Sequence, residues 1–236
     1  MKNIFTRYSV CMNTFDNKIS IIDNKLNVIN FEYDIDDTVD LVSKTEQLTK
    51  LASKEIPFSL IRAKIIILVP GNINKNTLDK ITEIIFKSSK YREMVSINEG
   101  LVVFNVFWEL NRCAYLIKTN NIIFGFAACA GQLITKVLYF NNSNSIDFML
   151  DQINNEITEN SFIELKASFK NIDLKDINLD SLWNNNKIII SFDPEYYNNK
   201  NVQNIQNSYI DNILHRGLIK SAMKLFYNAD FGKNSV

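Results

Sequence analysis

Two stretches of the chain have the alternation of short apolar runs and polar turns that predicts a three-strand meander. In the first, the turns Thr14–Asn17 and Asn24-Lys25 separate three predicted strands: Tyr8–Met12, Lys18–Asp23 and Leu26–Tyr33. In the second, about a hundred residues later, the turns Thr119–Asn121 and Gly131-Gln132 separate Cys113–Lys118, Ile122–Cys129 and Leu133–Phe140. Because the same pattern is written twice, the chain is predicted to contain an internal duplication.

Helices and buried strands follow each meander. Apolar residues at helical spacing predict six helices: Val39–Lys54, Asn74–Lys90, Asn98–Leu110, a helix after Ser143 running to Ile157, Val202–Leu214 and Leu218–Tyr227. Three apolar runs predict strands: Lys64–Val69, Met94–Ile97 and Lys187–Ser191. Between them, Phe162–Phe169 is compatible with a strand, and Leu174–Leu182 with a short helix or a loop. The order predicts an α/β fold with a duplicated βββαβα arrangement and two lobes, residues 1–97 and 98–236.

Composition excludes some classes of function. The 26 basic and 26 acidic residues balance, which argues against a nucleic-acid partner. No apolar run is long enough for a membrane span, and the N-terminus lacks the apolar core of a signal peptide. The three cysteines, Cys11, Cys113 and Cys129, lie in apolar strand patterns and are expected to be buried, reduced thiols of an intracellular protein.

Candidate polar sites are few. The acidic run Asp34–Asp37 is expected to cap the helix that follows. The single histidine, His215, is expected at a solvated helix start, with contact to an acidic partner as the alternative. Arg216, Lys220 and Lys224 have helical spacing and predict an exposed basic stripe. The phosphate-loop, dinucleotide and serine-hydrolase glycine motifs are absent.

Four segments carry a resemblance to a known family. They are Lys64–Asn105, Ala114–Gly131, Ile188–Asp193 and His215–Ala222. In order and pattern they resemble the actin, heat-shock-chaperone and sugar-kinase superfamily, which implies an actin-like, ribonuclease H-like fold of two lobes. The turn between Tyr33 and Val39 is short, and the 46 residues between Phe140 and Lys187 are too few for the family's outer subdomain, so the resemblance implies that the outer subdomains are reduced.

The departures from that family concern the nucleotide loops. Actin-type ATPases hold the phosphates in two glycine-rich turns, each with an aspartate that orders the metal. Here the first turn, Met12–Asn17, has no glycine and carries Phe15. Further positions also differ from the family pattern: Ile117 in place of an aspartate, Lys118–Asn121 in place of the second turn, Phe124 for a histidine, Asn98 for a glutamine, and Phe192-Asp193 for the Gly-Gly adenosine loop. The resemblance therefore implies no catalytic, cofactor-binding or metal-binding residues, no cofactor and no enzyme activity.

Small size and altered loops resemble the fungal actin-related proteins at the pointed end of dynactin. That resemblance implies a non-catalytic scaffold that caps or docks at an actin-related filament, with the filament end and other dynactin subunits as partners. It also implies support of dynein-dependent transport and nuclear migration, in the cytoplasm and on the cytoskeleton. Two alternatives stay open: an actin-fold adaptor of a bacterial division, pilus or secretion machine, and an actin-fold ATPase with Asp16 and Asp193 as unusual metal ligands.

Overall fold

The computed structural model describes residues 7–36, 38–56, 62–106, 112–118, 122–129, 132–157, 187–190, 202–204 and 213–228. The chain divides into two compact units. The first unit comprises Met1–Val106 together with Leu214–Val236, and the second comprises Phe107–Ile213. This division differs from the sequence-based lobes 1–97 and 98–236, since residues 98–106 and the C-terminal segment lie with the first unit.

The first unit is built on a five-stranded sheet. Its strands are β1 (Ser9–Asn13), β2 (Lys18–Ile22), β3 (Val28–Glu32), β4 (Ala63–Val69) and β5 (Tyr91–Asn98). The sheet order is β3-β2-β1-β4-β5. The first three strands are antiparallel, as the meander pattern predicts, and β4 joins β1 and β5 in parallel.

The second unit repeats this topology. Its strands are β6 (Arg112–Lys118), β7 (Ile123–Cys129), β8 (Gln132–Leu133), β9 (Leu138–Phe140), β10 (Lys187–Ile190) and β11 (Val202–Asn204). The order is β11-β10-β6-β7-β8, and β9 also pairs with β7. Strand β10 is parallel to both β6 and β11, just as β4 is parallel to β1 and β5. The predicted duplication is therefore confirmed.

Five helices are described: α1 (Leu41–Glu55), α2 (Lys75–Lys87), α3 (Glu99–Val106), α4 (Ile146–Asn155) and α5 (Ile213–Tyr227). In the first unit, alternate residues of β1 and β2 face opposite sides of the sheet. One set packs against α1 and α2 in a buried core that includes Val10, Met12, Ile19, Ile21, Leu48, Ala52, Ile81 and Ile85. The other set, which includes Ser9, Cys11 and Ser20, contacts α5.

Three sequence predictions about the elements are wrong. The helix predicted over Val202–Leu214 begins instead with β11, because parallel pairing with β10 outweighs the helical spacing of the apolar residues. Helix α5 starts at Ile213, five residues before the predicted Leu218. The third strand of the second meander is split into β8 and β9, and between them Thr135 Oγ1 accepts a hydrogen bond from the Ala127 N–H at 2.9 Å.

The acidic run Asp34–Asp37 does not cap α1. The cap is Asp40, whose carboxylate accepts hydrogen bonds from the N–H groups of Val42 and Ser43. Asp36 instead accepts hydrogen bonds from Thr38. Its carboxylate is therefore engaged by Thr38, before the helix begins.

Short connections replace the outer subdomains. Residues 33–40 alone join β3 to α1, and residues 141–145 alone join β9 to α4. The predicted segments Phe162–Phe169 and Leu174–Leu182 lie outside the described residues. Within the described ranges, no helix is both long and apolar enough to cross a membrane.

Candidate functional site at the β1–β2 turn

The carboxyl ends of β1, β4 and β5 meet at one edge of the first sheet, because the three strands are parallel. In open α/β sheets this edge is where ligands bind. Three segments lie there: the turn after Asn13, Pro70-Gly71 after β4, and Asn98-Glu99 at the end of β5. The sequence places the first family phosphate turn at the same edge.

The side chain of Asn13 occupies the inside of the β1–β2 turn. Its Oδ1 accepts hydrogen bonds from the backbone N–H groups of Phe15 at 3.0 Å and Asp16 at 3.3 Å. Its Nδ2 donates to Asp16 Oδ2 at 2.8 Å. Asn13 is fully buried. The backbone donors that a phosphate turn offers to its ligand are thus bound by a side chain of the same turn.

Two further residues fasten this turn to its surroundings. Thr14 Oγ1 donates to the Leu68 carbonyl at 2.7 Å, which joins the turn to β4. Asn17 has a φ of 53°, the left-handed conformation that glycine adopts most readily. Its Nδ2 donates to the Ile35 carbonyl at 2.8 Å, and its own carbonyl accepts from the Tyr33 N–H at 3.1 Å. Asn17 therefore adopts the positive φ that a glycine would otherwise supply, and its hydrogen bonds to neighbouring backbone groups hold this conformation.

Asp16 is the acidic residue of this turn. Burial raises the pKa of its carboxyl group, while the hydrogen bond from Asn13 and the charges of Lys18 and Lys44 act in the opposite direction. The second alternative metal ligand, Asp193, lies outside the described residues. In the part of the chain that the structure describes, no three histidine, cysteine or acidic side chains cluster as metal ligands.

Polar groups after β4 and β5 also bond to one another. Asn98 Oδ1 accepts from the Leu101 N–H at 2.9 Å, at the start of α3. Glu99 is fully buried, and its two carboxylate oxygens accept from the Gly71 N–H at 3.2 and 3.0 Å. The amide oxygen of Asn98, the residue aligned with the family's water-positioning glutamine, is therefore engaged by the helix backbone. Sequence analysis missed Glu99, because only the fold brings it to Gly71.

In the second meander, the residues aligned with nucleotide-contacting positions are part of the core. Ile117 and Phe124 face each other across β6 and β7, and both are fully buried. The ring of Phe126 stacks on Tyr115 at 4.6 Å and on Phe124 at 6.4 Å between centroids. The turn residues 119–121 and Phe192-Asp193 lie outside the described residues. The positions of Ile117 and Phe124 are thus taken up by apolar packing in the core.

The prediction that His215 is solvated is wrong. It is only 6% exposed and lies within α5, against β2, which the sequence alone does not bring together. Its Nε2 lies 2.7 Å from Ser20 Oγ, and Ser20 Oγ donates to Asn30 Oδ1 at 2.5 Å. Since that hydroxyl proton goes to Asn30, Nε2 is the donor to Ser20, and Nδ1 has no partner among the described groups. Burial, with a smaller effect of Lys18, lowers the pKa of His215 to about 4.

The predicted basic stripe of α5 is exposed only in part. Only Lys224 is exposed, and Arg216 and Lys220 are half-buried. Gly217 lies inside the helix, where an added Cβ would come within 2.6 Å of both Val102 Cγ1 and the Val102 carbonyl oxygen. Its role is the close crossing of α3 and α5. Cys11 is buried as predicted, and its pKa is raised by burial.

No protein-family model and no curated protein matches the chain. Solved structures do. MreB5 of Spiroplasma citri bound to ADP aligns at 8% identity and a TM-score of 0.54, over 94% of this chain and 99% of that one. A MamK double helical filament aligns at 8% identity and a TM-score of 0.52, over 93% of this chain and 99% of that one. The apo psk41 ParM protein aligns at 11% identity and a TM-score of 0.51, over 94% of this chain and 98% of that one. At these identities the likeness concerns the fold alone. Together with the duplicated sheets, it shows that the chain has the actin-like fold, as the sequence predicts.

Proposed function

We propose that this chain is a non-catalytic protein of actin-like fold that acts through binding to other proteins. The observation that carries the proposal is the occupation of the β1–β2 turn by Asn13. A phosphate turn needs free backbone N–H groups, and here two of them already have an acceptor within the turn. A nucleotide would have to displace a buried amide that makes three hydrogen bonds.

Displacement of that amide carries a free-energy cost. Each hydrogen bond of a buried group contributes about 1 kcal/mol net, and a buried group left without a partner costs about 1–3 kcal/mol. The phosphate would also have to approach the bulky side chain of Phe15 and the Asp16 carboxylate. The altered residues Asn98, Ile117 and Phe124 support the same proposal, because each is engaged in capping or in packing.

The proposed partner is another protein of the same fold. A MamK structure with this fold is a double helical filament, which supports polymer binding as the general role. The more specific placement proposed from the sequence is the pointed end of dynactin, as a capping or docking subunit for dynein-dependent transport. A bacterial assembly adaptor is the second candidate, favoured by the similarity of this fold to the MreB, ParM and MamK structures. Affinity purification of the tagged chain from its native cell separates the two, since recovery of dynactin subunits or of division and secretion proteins supports one and excludes the other.

The competing enzyme hypothesis has its own test. If Asp16 and Asp193 hold a metal for ATP hydrolysis, the wild-type chain releases phosphate from Mg-ATP, and Asp16→Ala and Asp193→Ala each abolish the release. The proposal predicts equal, background-level release from all three proteins. Release by the wild type that both substitutions abolish would contradict it.

A further inference from the structure

Strand β3 is the terminal strand of the first sheet, and no strand among the described residues pairs with its outer edge. The Tyr33 N–H donates to the Asn17 carbonyl, so Tyr33 and every second residue before it direct their backbone groups at β2. The backbone groups of Val28, Asn30 and Glu32 therefore face away from β2. Within the described part of the chain, none of these outward groups has a hydrogen-bond partner. Such an edge pairs readily with another extended strand.

The side chains along this edge are apolar on one face of the sheet. Ile29 is 59% exposed, the largest exposed fraction among the large apolar residues that the structure describes as exposed. Phe31, two positions along, lies on the same face and stacks its ring on Tyr33 at 6.5 Å. An isolated exposed isoleucine is ordinary. An isoleucine on an open strand edge, beside an aromatic pair, offers both backbone and side-chain contacts to an added strand.

We propose that β3 pairs antiparallel with β3 of a second copy of this chain, about a two-fold axis at Asn30. In that register Val28 faces Glu32 of the other copy, and Asn30 faces its counterpart. All outward residues then meet outward residues, and each facing pair exchanges two hydrogen bonds. On the apolar face Ile29 of each copy lies beside Phe31 of the other, so that the exposed isoleucine is covered. The surface is self-complementary, as a two-fold interface requires.

Charges at the two ends of β3 favour the antiparallel arrangement. Exposed Lys25 precedes the strand, in the turn that joins it to β2, and exposed Asp34 and Asp36 follow it. Antiparallel pairing brings Lys25 of each copy near the acidic end of the other. Parallel pairing would instead set the two acidic ends side by side. Five paired residues on each side form a small interface, so a weak and reversible association is expected.

Sedimentation velocity across a concentration series tests the association. The monomer has a mass of 27.3 kDa, and the wild type is expected to shift reversibly towards twice that mass as its concentration rises. Ile29→Lys places two like charges in the interface and should raise the dissociation constant about 10-fold or more. Phe86→Lys is the matched control, since Phe86 is 46% exposed on α2 and should leave the association unchanged. A wild type that stays monomeric, or a loss of association with Phe86→Lys as large as with Ile29→Lys, would overturn the proposal.

Disulfide cross-linking tests the register. In the proposed pairing the two Asn30 Cα atoms lie about 5.5 Å apart, within the range of a disulfide. The two Val28 Cα atoms lie roughly 14 Å apart, separated by four positions along the strands and by the spacing between the two strands. Asn30→Cys should therefore form a covalent dimer under mild oxidation, while Val28→Cys and the wild type should not. Equal cross-linking of both variants, or dimers with Val28→Cys alone, would exclude this register and with it the pairing of two β3 strands about Asn30.

Discussion

His215 Nε2 and Ser20 Oγ lie 2.7 Å apart, although 195 residues separate them in the sequence. This contact fastens α5 to β2 and thereby joins the last described helix to the N-terminal sheet. The Ser9 hydroxyl donates to Tyr227 Oη at 3.0 Å, and Tyr227 Oη donates to the Ile22 carbonyl at 2.9 Å, at the other end of the same helix. The C-terminal segment is therefore part of the first unit, and its contacts with β1 and β2 depend on residues far apart in the sequence.

The state of His215 predicts a pH dependence of stability. Its pKa is about 4 in the folded protein and 6.5 in the unfolded chain. Between these values the unfolded chain binds a proton and the folded protein does not, so stability is full above pH 6.5 and falls as the pH is lowered. From pH 7 to pH 5 the expected loss in the free energy of unfolding is roughly 2 kcal/mol. Urea denaturation at a series of pH values measures it.

The matched control for this prediction is His215→Gln, which keeps a donor for Ser20 but does not titrate. Its stability should change less between pH 7 and pH 5 than that of the wild type, by about the same 2 kcal/mol. If the two proteins lose stability in parallel over this range, the low pKa assigned to His215 is wrong.

Asn13 is predicted to stabilise the fold. Asn13→Ala removes the acceptor for the Phe15 and Asp16 N–H groups and should lower the free energy of unfolding by about 1–3 kcal/mol. Asn13→Asp keeps that acceptor but places a second carboxyl group beside Asp16, and therefore should be less destabilising at pH 4.5 than at pH 7. Chemical denaturation of both variants at the two pH values checks this. An Asn13→Ala protein as stable as the wild type would show that the turn does not depend on the amide.

Gly217 is predicted to be required for the crossing of α3 and α5. Alanine is ordinarily the better helix former by about 1 kcal/mol. Here Gly217→Ala should instead destabilise by about 1–3 kcal/mol, because the new Cβ would meet the side chain and carbonyl of Val102. Thermal unfolding measures the effect, with Lys224→Ala on the exposed face of α5 as the control. Adding Val102→Ala should recover only part of the loss, since the carbonyl remains.

The cap of α1 gives a prediction that separates two neighbouring aspartates. Asp40→Ala should cost about 1 kcal/mol of stability, because it removes the acceptor for two N–H groups of the first turn. Asp36→Ala removes only an exposed contact with Thr38 and should change stability by less than about 0.5 kcal/mol. Urea denaturation of the two variants compares them directly. Equal losses in the two variants would contradict the assignment of the stabilising cap to Asp40.

The part of the fold that local pattern determines was predictable. Short apolar runs between polar turns predict β1, β2, β6 and β7, and continuous apolar runs predict β4 and β10, because each run and its boundaries can be read from the local sequence. Strand β11 was not predictable, because Val202 and the following apolar residues have helical spacing. Only pairing with β10 makes that segment a strand.

In the candidate site, too, some features can be read from the sequence and others depend on the fold. The absence of glycine between Met12 and Asn17 is visible in the sequence, and so is the replacement of polar family residues by Ile117 and Phe124. The hydrogen bonds of Asn13, the Glu99–Gly71 contact and the burial of His215 are not visible. Each depends on which strand ends and helix faces the topology brings together.

Isothermal titration calorimetry with Mg-ATP is the most direct test of the proposed loss of nucleotide binding. The occupied turn predicts no saturable binding up to millimolar nucleotide for the full chain. Asn13→Gly, titrated in parallel, tests whether removal of the amide alone restores a phosphate turn, and the altered Ile117 and Phe124 positions predict that it does not. Saturable binding of Mg-ATP to the wild type with a micromolar dissociation constant would contradict the proposal.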